Sequence, residues 1–140
     1  MIAVESDGLH PRYLPGLAYL IMGQYDGVGE PRMDAYRRHV LVCTGGFCSP
    51  DRRGRALYSL LARLLEREDL LFGPTRVKRG ETPCLGVCAG GPIVVVYPEG
   101  IWYAGVTPEL LERIVVEHLR DGRVVEEAVF HRLSHPTRPT

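Results

Sequence analysis

The chain has four cysteines in two short pairs, Cys43-Thr-Gly-Gly-Phe-Cys48 and Cys84-Leu-Gly-Val-Cys88, separated by 35 residues. The spacing is C-x4-C and then C-x3-C, and every cysteine of the 140-residue chain belongs to the pattern. Each pair follows a β-like run and lies in a Gly-rich stretch, where the backbone can curl so that two sulfurs and several N–H groups face one point. A metal or iron–sulfur centre needs that arrangement. A disulfide framework suits small secreted chains, but no secretory leader is legible, and a chain of this length buries a core without staples. Thiol–disulfide exchange uses C-x-x-C, which neither pair has. Structural zinc is the serious rival, because zinc knuckles accept C-x2-4-C pairs, although two intervening residues are commonest. The wider loops of four and three suit a two-iron cluster, in which each iron takes two thiolates and bridging sulfides fill the space between the pairs. On spacing alone iron–sulfur, zinc, and free or oxidised thiols all stay open.

The elements that must position these loops follow from periodicity. Residues 38–43 form a short apolar run fit for a central strand. Ser49-Pro50 reads as an N-cap with proline at the first helical position. Ala56, Leu57, Leu60, Leu61, Leu64 and Leu65 then recur as one helical stripe out to about residue 68. Residues 75–79 give a more polar strand, parallel to the first through a right-handed crossover. The second cysteine loop spans 81–92. Residues 93–97 and 101–104 make a hairpin across Pro98-Glu-Gly100. Thr107-Pro-Glu caps a last helix with Leu110, Leu111, Ile114, Val115 and Leu119 as its stripe, ending at Asp121-Gly122. Trp102 and Tyr103 point to opposite faces of the sheet, one into the core and the other toward a dimer or partner contact. The fold class is α/β: a β-α-β-β-β-α core with a four-stranded mixed sheet and two helices, which is the minimal thioredoxin-like arrangement. Pro92 precedes the third strand where that fold often has a cis-proline, but only about 5–6% of X-Pro bonds in folded proteins are cis, so the sequence leaves its isomer open.

The run from Cys84 through Cys88-Ala-Gly-Gly-Pro-Ile-Val-Val-Val-Tyr-Pro-Glu-Gly-Ile-Trp-Tyr-Ala-Gly-Val-Thr-Pro-Glu resembles the C-terminal half of a thioredoxin-like 2Fe-2S ferredoxin. The stretch from His39-Val-Leu-Val-Cys43-Thr through the following helix resembles its first half, so the likeness covers about residues 38–130. The same fold and cysteine pattern recur in the small iron–sulfur subunit of bacterial complex I, whose first spacing is similar to the C-x4-C here. The resemblance implies an electron carrier with one 2Fe-2S cluster held by Cys43, Cys48, Cys84 and Cys88, with no catalytic residue and no substrate bond made or broken. It also implies a homodimer working in the cytoplasm between a reductase and an acceptor enzyme. Within that reading Cys43 and Cys48 hold one iron and Cys84 and Cys88 the other. Gly45, Gly46, Gly86, Gly90 and Gly91 allow close approach and N–H donation to sulfur, which raises the reduction potential. The alternative from another class is a zinc-stabilised or metal-free thioredoxin-like interaction module.

The chain carries 17 basic and 17 acidic side chains, for a formal net charge of zero. That balance suggests neither a nucleic-acid nor a membrane-surface protein. Charge is nonetheless uneven, since Arg52, Arg53, Arg55, Arg76, Lys78 and Arg79 fall between the cysteine pairs, making the cluster side the basic side and suiting an acidic partner. Residues 1–37 form an N-terminal extension and linker outside the resemblance. Their apolar run at 13–23 is too short to span a bilayer and reads as an arm that packs on the core, on a second copy or on a partner. Residues 38–130 form the domain, and 131–140 read as a frayed tail. The five histidines make no pair at ligand spacing with the cysteines, which argues against a Rieske-type site.

Overall fold

The structure is a computed structural model that describes residues 29–134, so the expectations for 13–23 and for 135–140 lie outside the described residues. A compact unit runs from Ala35 onward. Its elements are β1 (Arg38–Cys43), α1 (Arg53–Arg67), β2 (Val77–Thr82), β3 (Val94–Tyr97), β4 (Ile101–Tyr103), α2 (Pro108–Arg113) and β5 (Val129–Arg132). Helix α2 continues into a wider π-helical stretch over Ile114–Arg120, and a 3₁₀ turn at Glu126–Ala128 leads into β5. The strand order is β2-β1-β3-β4-β5, with β1 and β2 parallel and the other neighbours antiparallel.

The β-α-β-β-β-α core is therefore present, but the sheet has five strands where four were expected. The added edge strand includes His131 and Arg132, which the sequence reading gave to the tail. It has no apolar alternation and is largely exposed; it pairs because the outer edge of β4 offers unsatisfied N–H and C=O groups. Strand β2 also differs, starting at Val77 and running on through Gly80, Glu81 and Thr82. Pairing with the buried β1, from Arg38↔Val77 to Cys43↔Thr82, draws these polar residues into the ladder. Pro92, whose isomer the sequence leaves open, is cis, and so is Pro98.

Alternation places Val40 and Val42 of β1, Val94 and Val96 of β3, and Ile101 and Tyr103 of β4 on one face of the sheet. Both helices cover that face. Leu57, Leu61, Leu64 and Leu65 from α1 meet Leu111, Ile114, Val115 and Leu119 from the last helix over these strands, all buried. Full burial of one such side chain is worth roughly 1.5–3 kcal/mol, so this layer is the main source of stability. Tyr103 is the aromatic that enters the core, whereas Trp102 is half-buried on the opposite face, edge-on to Phe130 and His131.

Tyr103, which pairs with Val94 and so lies toward the Cys43 end of the sheet, starts a polar chain on the helix-covered face that runs to Glu99 and Arg38 at the other end. The Val125 N–H donates to the Tyr103 hydroxyl oxygen at 3.2 Å, which leaves the phenol O–H to donate to Nδ1 of the buried His118 at 2.8 Å. His118 Nε2–H then donates to Glu99 Oε2 at 2.8 Å, and the Arg38 guanidinium donates to the same oxygen at 2.7 Å. Burial pushes the His118 imidazole below its ordinary range, with Glu99 pulling partly the other way. Burial works to raise the Glu99 carboxyl, but hydrogen bonds from Arg38 and His118 outweigh it and hold the group low. The Tyr103 phenol is pushed up to about 12 by burial and stays a donor.

Candidate metal centre

Both cysteine loops lie at the end of the sheet where β1 stops and β3 begins. Cys43 is the last residue of β1, fixed by its N–H donating to the Ile93 carbonyl at 3.0 Å, and the next N–H, of Thr44, donates to the Thr82 carbonyl at 2.8 Å. The chain then turns through Gly45 to Cys48, whose following residue Ser49 donates its N–H to the Gly45 carbonyl at 3.0 Å. Ser49 was read as the cap of a helix starting at Pro50. It does cap, but from further back: its Oγ accepts the Gly54 N–H at 2.5 Å, and Arg52, in a left-handed conformation with φ of 64°, precedes the first helical residue, Arg53. Gly54 is a contributor the sequence reading missed. A Cβ there would sit 2.3 Å from the Cys43 carbonyl oxygen, so glycine lets α1 begin against the cysteine loop. An isolated glycine inside a helical stripe is the signal that could have found it.

The two loops are packed backbone to backbone. A Cβ on Gly45 would lie 1.8 Å from the Pro83 carbonyl oxygen, and one on Gly91 would lie 1.9 Å from the Cys48 carbonyl oxygen. The remaining glycines of the expected set behave differently: Gly46 has nothing near its Cβ position, while Gly86 donates its N–H to Cys84 Sγ at 3.2 Å. The second loop is anchored in turn by the Gly105 N–H to the Gly90 carbonyl (2.7 Å) and the Val106 N–H to the Pro92 carbonyl (3.1 Å). Leu85, Val87, Trp102 and Ala104 pack around Cys43, Cys48 and Ile93 as a small cluster separate from the main core.

The sulfurs themselves are in two different states. Cys43 and Cys48 are joined as a buried disulfide with Cα atoms 6.8 Å apart, and Cys84 and Cys88 are exposed free thiols. Cys43 Sγ lies 3.9 Å from the Pro83 carbonyl oxygen, next to Cys84 in sequence. Among the described residues no three or more His, Cys, Asp or Glu side chains are gathered as a metal site. The structure thus brings the two loops together without collecting all four sulfurs. In donor chemistry the residues fit a 2Fe-2S cluster. They supply four cysteine sulfurs, an N–H already directed at one of them, and loops joined where no Cβ can intrude.

The basic residues do not act as one patch. Arg52, Arg53 and Arg55 flank the first loop, but Arg76 precedes Val77, the β2 residue paired with Arg38 at the far end of the sheet. Lys78 lies over Tyr36 and Arg79 over Tyr58, with the cations 5.5 and 4.5 Å from the ring centroids.

No family model matches the sequence. It is 38% identical over 98 residues to a 2Fe-2S ferredoxin of Clostridium pasteurianum, covering 64% of this chain and 92% of that protein. It is 34% identical over 107 residues to a 2Fe-2S ferredoxin of Aquifex aeolicus, covering 71% and 94%. The solved thioredoxin-like [2Fe-2S] ferredoxin of Aquifex aeolicus superposes with a TM-score of 0.61 at 34% identity, over 73% of this chain and 97% of that one. These relatives are matched along nearly their whole lengths and the solved one shares this fold, so the chain belongs to the thioredoxin-like 2Fe-2S ferredoxin family.

Proposed function

We propose that this protein is a one-electron carrier whose 2Fe-2S cluster is held by Cys43, Cys48, Cys84 and Cys88. The observation that carries the reading is the interlock of the two cysteine loops, Gly45 on Pro83 and Gly91 on Cys48. The interlock holds both cysteine pairs at one end of the sheet, where one cluster can take thiolates from each. When bound, the cluster accepts and returns one electron. The chain's own part is to hold the thiolates, to exclude water with Leu85, Val87 and Trp102, and to donate N–H groups to sulfur, as Gly86 does to Cys84. Loading requires all four cysteines as thiolates, Cys43 and Cys48 included.

The protein acts as a carrier rather than an enzyme, serving a reductase and an acceptor enzyme in the cytoplasm as a homodimer. It engages neither nucleic acid nor membrane, in keeping with its zero net charge. Among the described residues no helix is long and apolar enough to cross a membrane. Residues 1–37 are the extension to a domain spanning 38–130. The test is the visible and EPR spectrum of anaerobically purified protein before and after dithionite, with iron, sulfide and zinc assayed on the same sample. Two irons and two sulfides per chain, with an EPR signal appearing on reduction, are expected. A colourless protein holding one zinc overturns the reading.

A further inference from the structure

We propose that a groove beside the first cysteine loop docks an acidic segment of a partner protein through an apolar side chain. The groove, of about 420 Å³, lies between α1 and the turns preceding β3 and α2. Ala56 and Leu60 of α1 face Pro92, Val106 and Pro108 across it, and Arg53 and Arg63 stand at its rim. Ala56 is exposed and Leu60 only half-buried, although both belong to the apolar stripe of α1. The sheet takes Leu57, Leu61, Leu64 and Leu65, and this flank of the stripe is left facing the groove.

Among the described residues most of the charges around it are uncompensated. Arg52, Arg55 and Arg63 are exposed and have no ion-pair partner among the described residues, and Arg53 pairs only with the exposed Asp51. Several arginines elsewhere are neutralised: Arg38 by Glu99, Arg113 by Glu117 and Glu127, Arg120 by Glu68 and Asp121. An apolar floor with guanidinium groups at its rim fits carboxylates flanking a leucine- or phenylalanine-like side chain, because the carboxylates gain charge-assisted hydrogen bonds while the side chain leaves water. The volume is near the lower end of the roughly 300–1,000 Å³ typical of ligand sites, which suits one anchoring side chain of a larger contact. The groove is next to the redox site, since its lining residue Gly91 abuts the Cys48 carbonyl. That the partner exchanges electrons rests on the carrier reading above; the groove's complementarity does not.

The test uses the anaerobically purified full chain and a fluorescein-labelled peptide of Asp and Glu residues around a Leu-Phe pair, followed by fluorescence anisotropy. Binding is expected, weakened about tenfold or more when the acids are replaced by lysine, when the Leu-Phe pair is replaced by alanine, or at ~0.5 M salt. Leu60→Asp and the exposed Arg63→Glu should each weaken it similarly, the latter with an unchanged melting curve. No binding of the acidic peptide, undiminished binding to Arg63→Glu, or displacement by an equal concentration of single-stranded DNA overturns the proposal. Iron, sulfide and zinc are assayed on every sample: a chain that holds one zinc in place of iron and still binds the peptide overturns the carrier reading alone, and an iron-loaded chain that ignores the peptide overturns the groove alone.

Discussion

The glycines of the two loops are chemically identical in the sequence, yet the structure gives them different tasks. Gly45 and Gly91 sit where a Cβ would run into carbonyl oxygens of the opposite loop at under 2 Å, while Gly46 faces open space. Backbone atoms held on both sides give way less readily than a flexible side chain does. Gly45→Ala and Gly91→Ala should therefore each lower unfolding stability by ~1–3 kcal/mol, the usual range for overpacking. Both should also reduce the iron retained per chain, and Gly46→Ala should change neither. Urea denaturation with iron assays on the same preparations checks this, and equal behaviour of all three variants would remove the interlock as an explanation. The sequence exposed the Gly-rich loops but not this division of labour, because which glycine meets a neighbour depends on how the loops approach each other. Gly54 was overlooked for the same reason: its contact is with Cys43, 11 residues earlier, and no local pattern encodes it.

At the scale of elements, the strands and helices buried on one face were legible from apolar periodicity, and the departures lie where pairing or polarity decides. Strands β2 and β5 owe their extents to the edges of β1 and β4. His118 reads in the sequence as one more residue of a helix, whereas the widened π-helical turn takes it fully inside, where it needs partners. Tyr103 and Glu99 supply them, joining the last helix to the β3–β4 hairpin. Tyr103→Phe leaves His118 Nδ1 and the Val125 N–H without a partner and should cost about 1–3 kcal/mol, measured by denaturant unfolding. Cluster content should be unaffected, because Tyr103 packs in the main core whereas Cys43 and Cys48 belong to the separate small cluster. The network also gives stability a pH dependence with a definite sign. Folded His118 stays neutral, while in the unfolded chain it takes up a proton near ~6.5, so the unfolded state binds more protons below that pH. Stability should fall with acidification through ~6.5, by up to ~1.4 kcal/mol per pH unit, until the buried imidazole itself titrates. The lowered Glu99 carboxyl adds a second loss as pH drops through ~4.3, where the unfolded carboxyl is protonated. Denaturant unfolding of the wild type and His118→Gln at a series of pH values checks this: the variant should lose the dependence between pH ~6.5 and ~5.5, and identical slopes would contradict it.

For the whole molecule, the separation of the two apolar clusters decides what happens when metal is removed. The main core, from Val40 and Val42 through Leu61 and Leu65 to Ile114 and Leu119, contains no cysteine, and the only cysteines buried in the described region are the disulfide pair. A small metal domain whose core is its ligands unfolds on chelation, because metal binding and folding are then one equilibrium. Here the sheet and both helices are held by side chains that touch no ligand, so the chelated chain should keep its far-UV circular dichroism and melt cooperatively at a lower temperature. The cysteine chemistry supplies an independent reading of the same state. The Cys43–Cys48 disulfide and the exposed Cys84 and Cys88 of the structure predict that, in the metal-free chain under air, alkylation without reductant labels two cysteines per chain, both in the second loop. After reduction and unfolding all four should react. Mass spectrometry of digested, alkylated protein distinguishes these outcomes. Four labels without reductant would mean that the first pair stays as thiols, and label on Cys43 or Cys48 with a link between the loops would mean that the sulfurs pair across the interlock instead. Retained structure with two labels would establish a fold that exists before its cluster. Assembly would then need only reduction of one disulfide and closure of two loops already in contact.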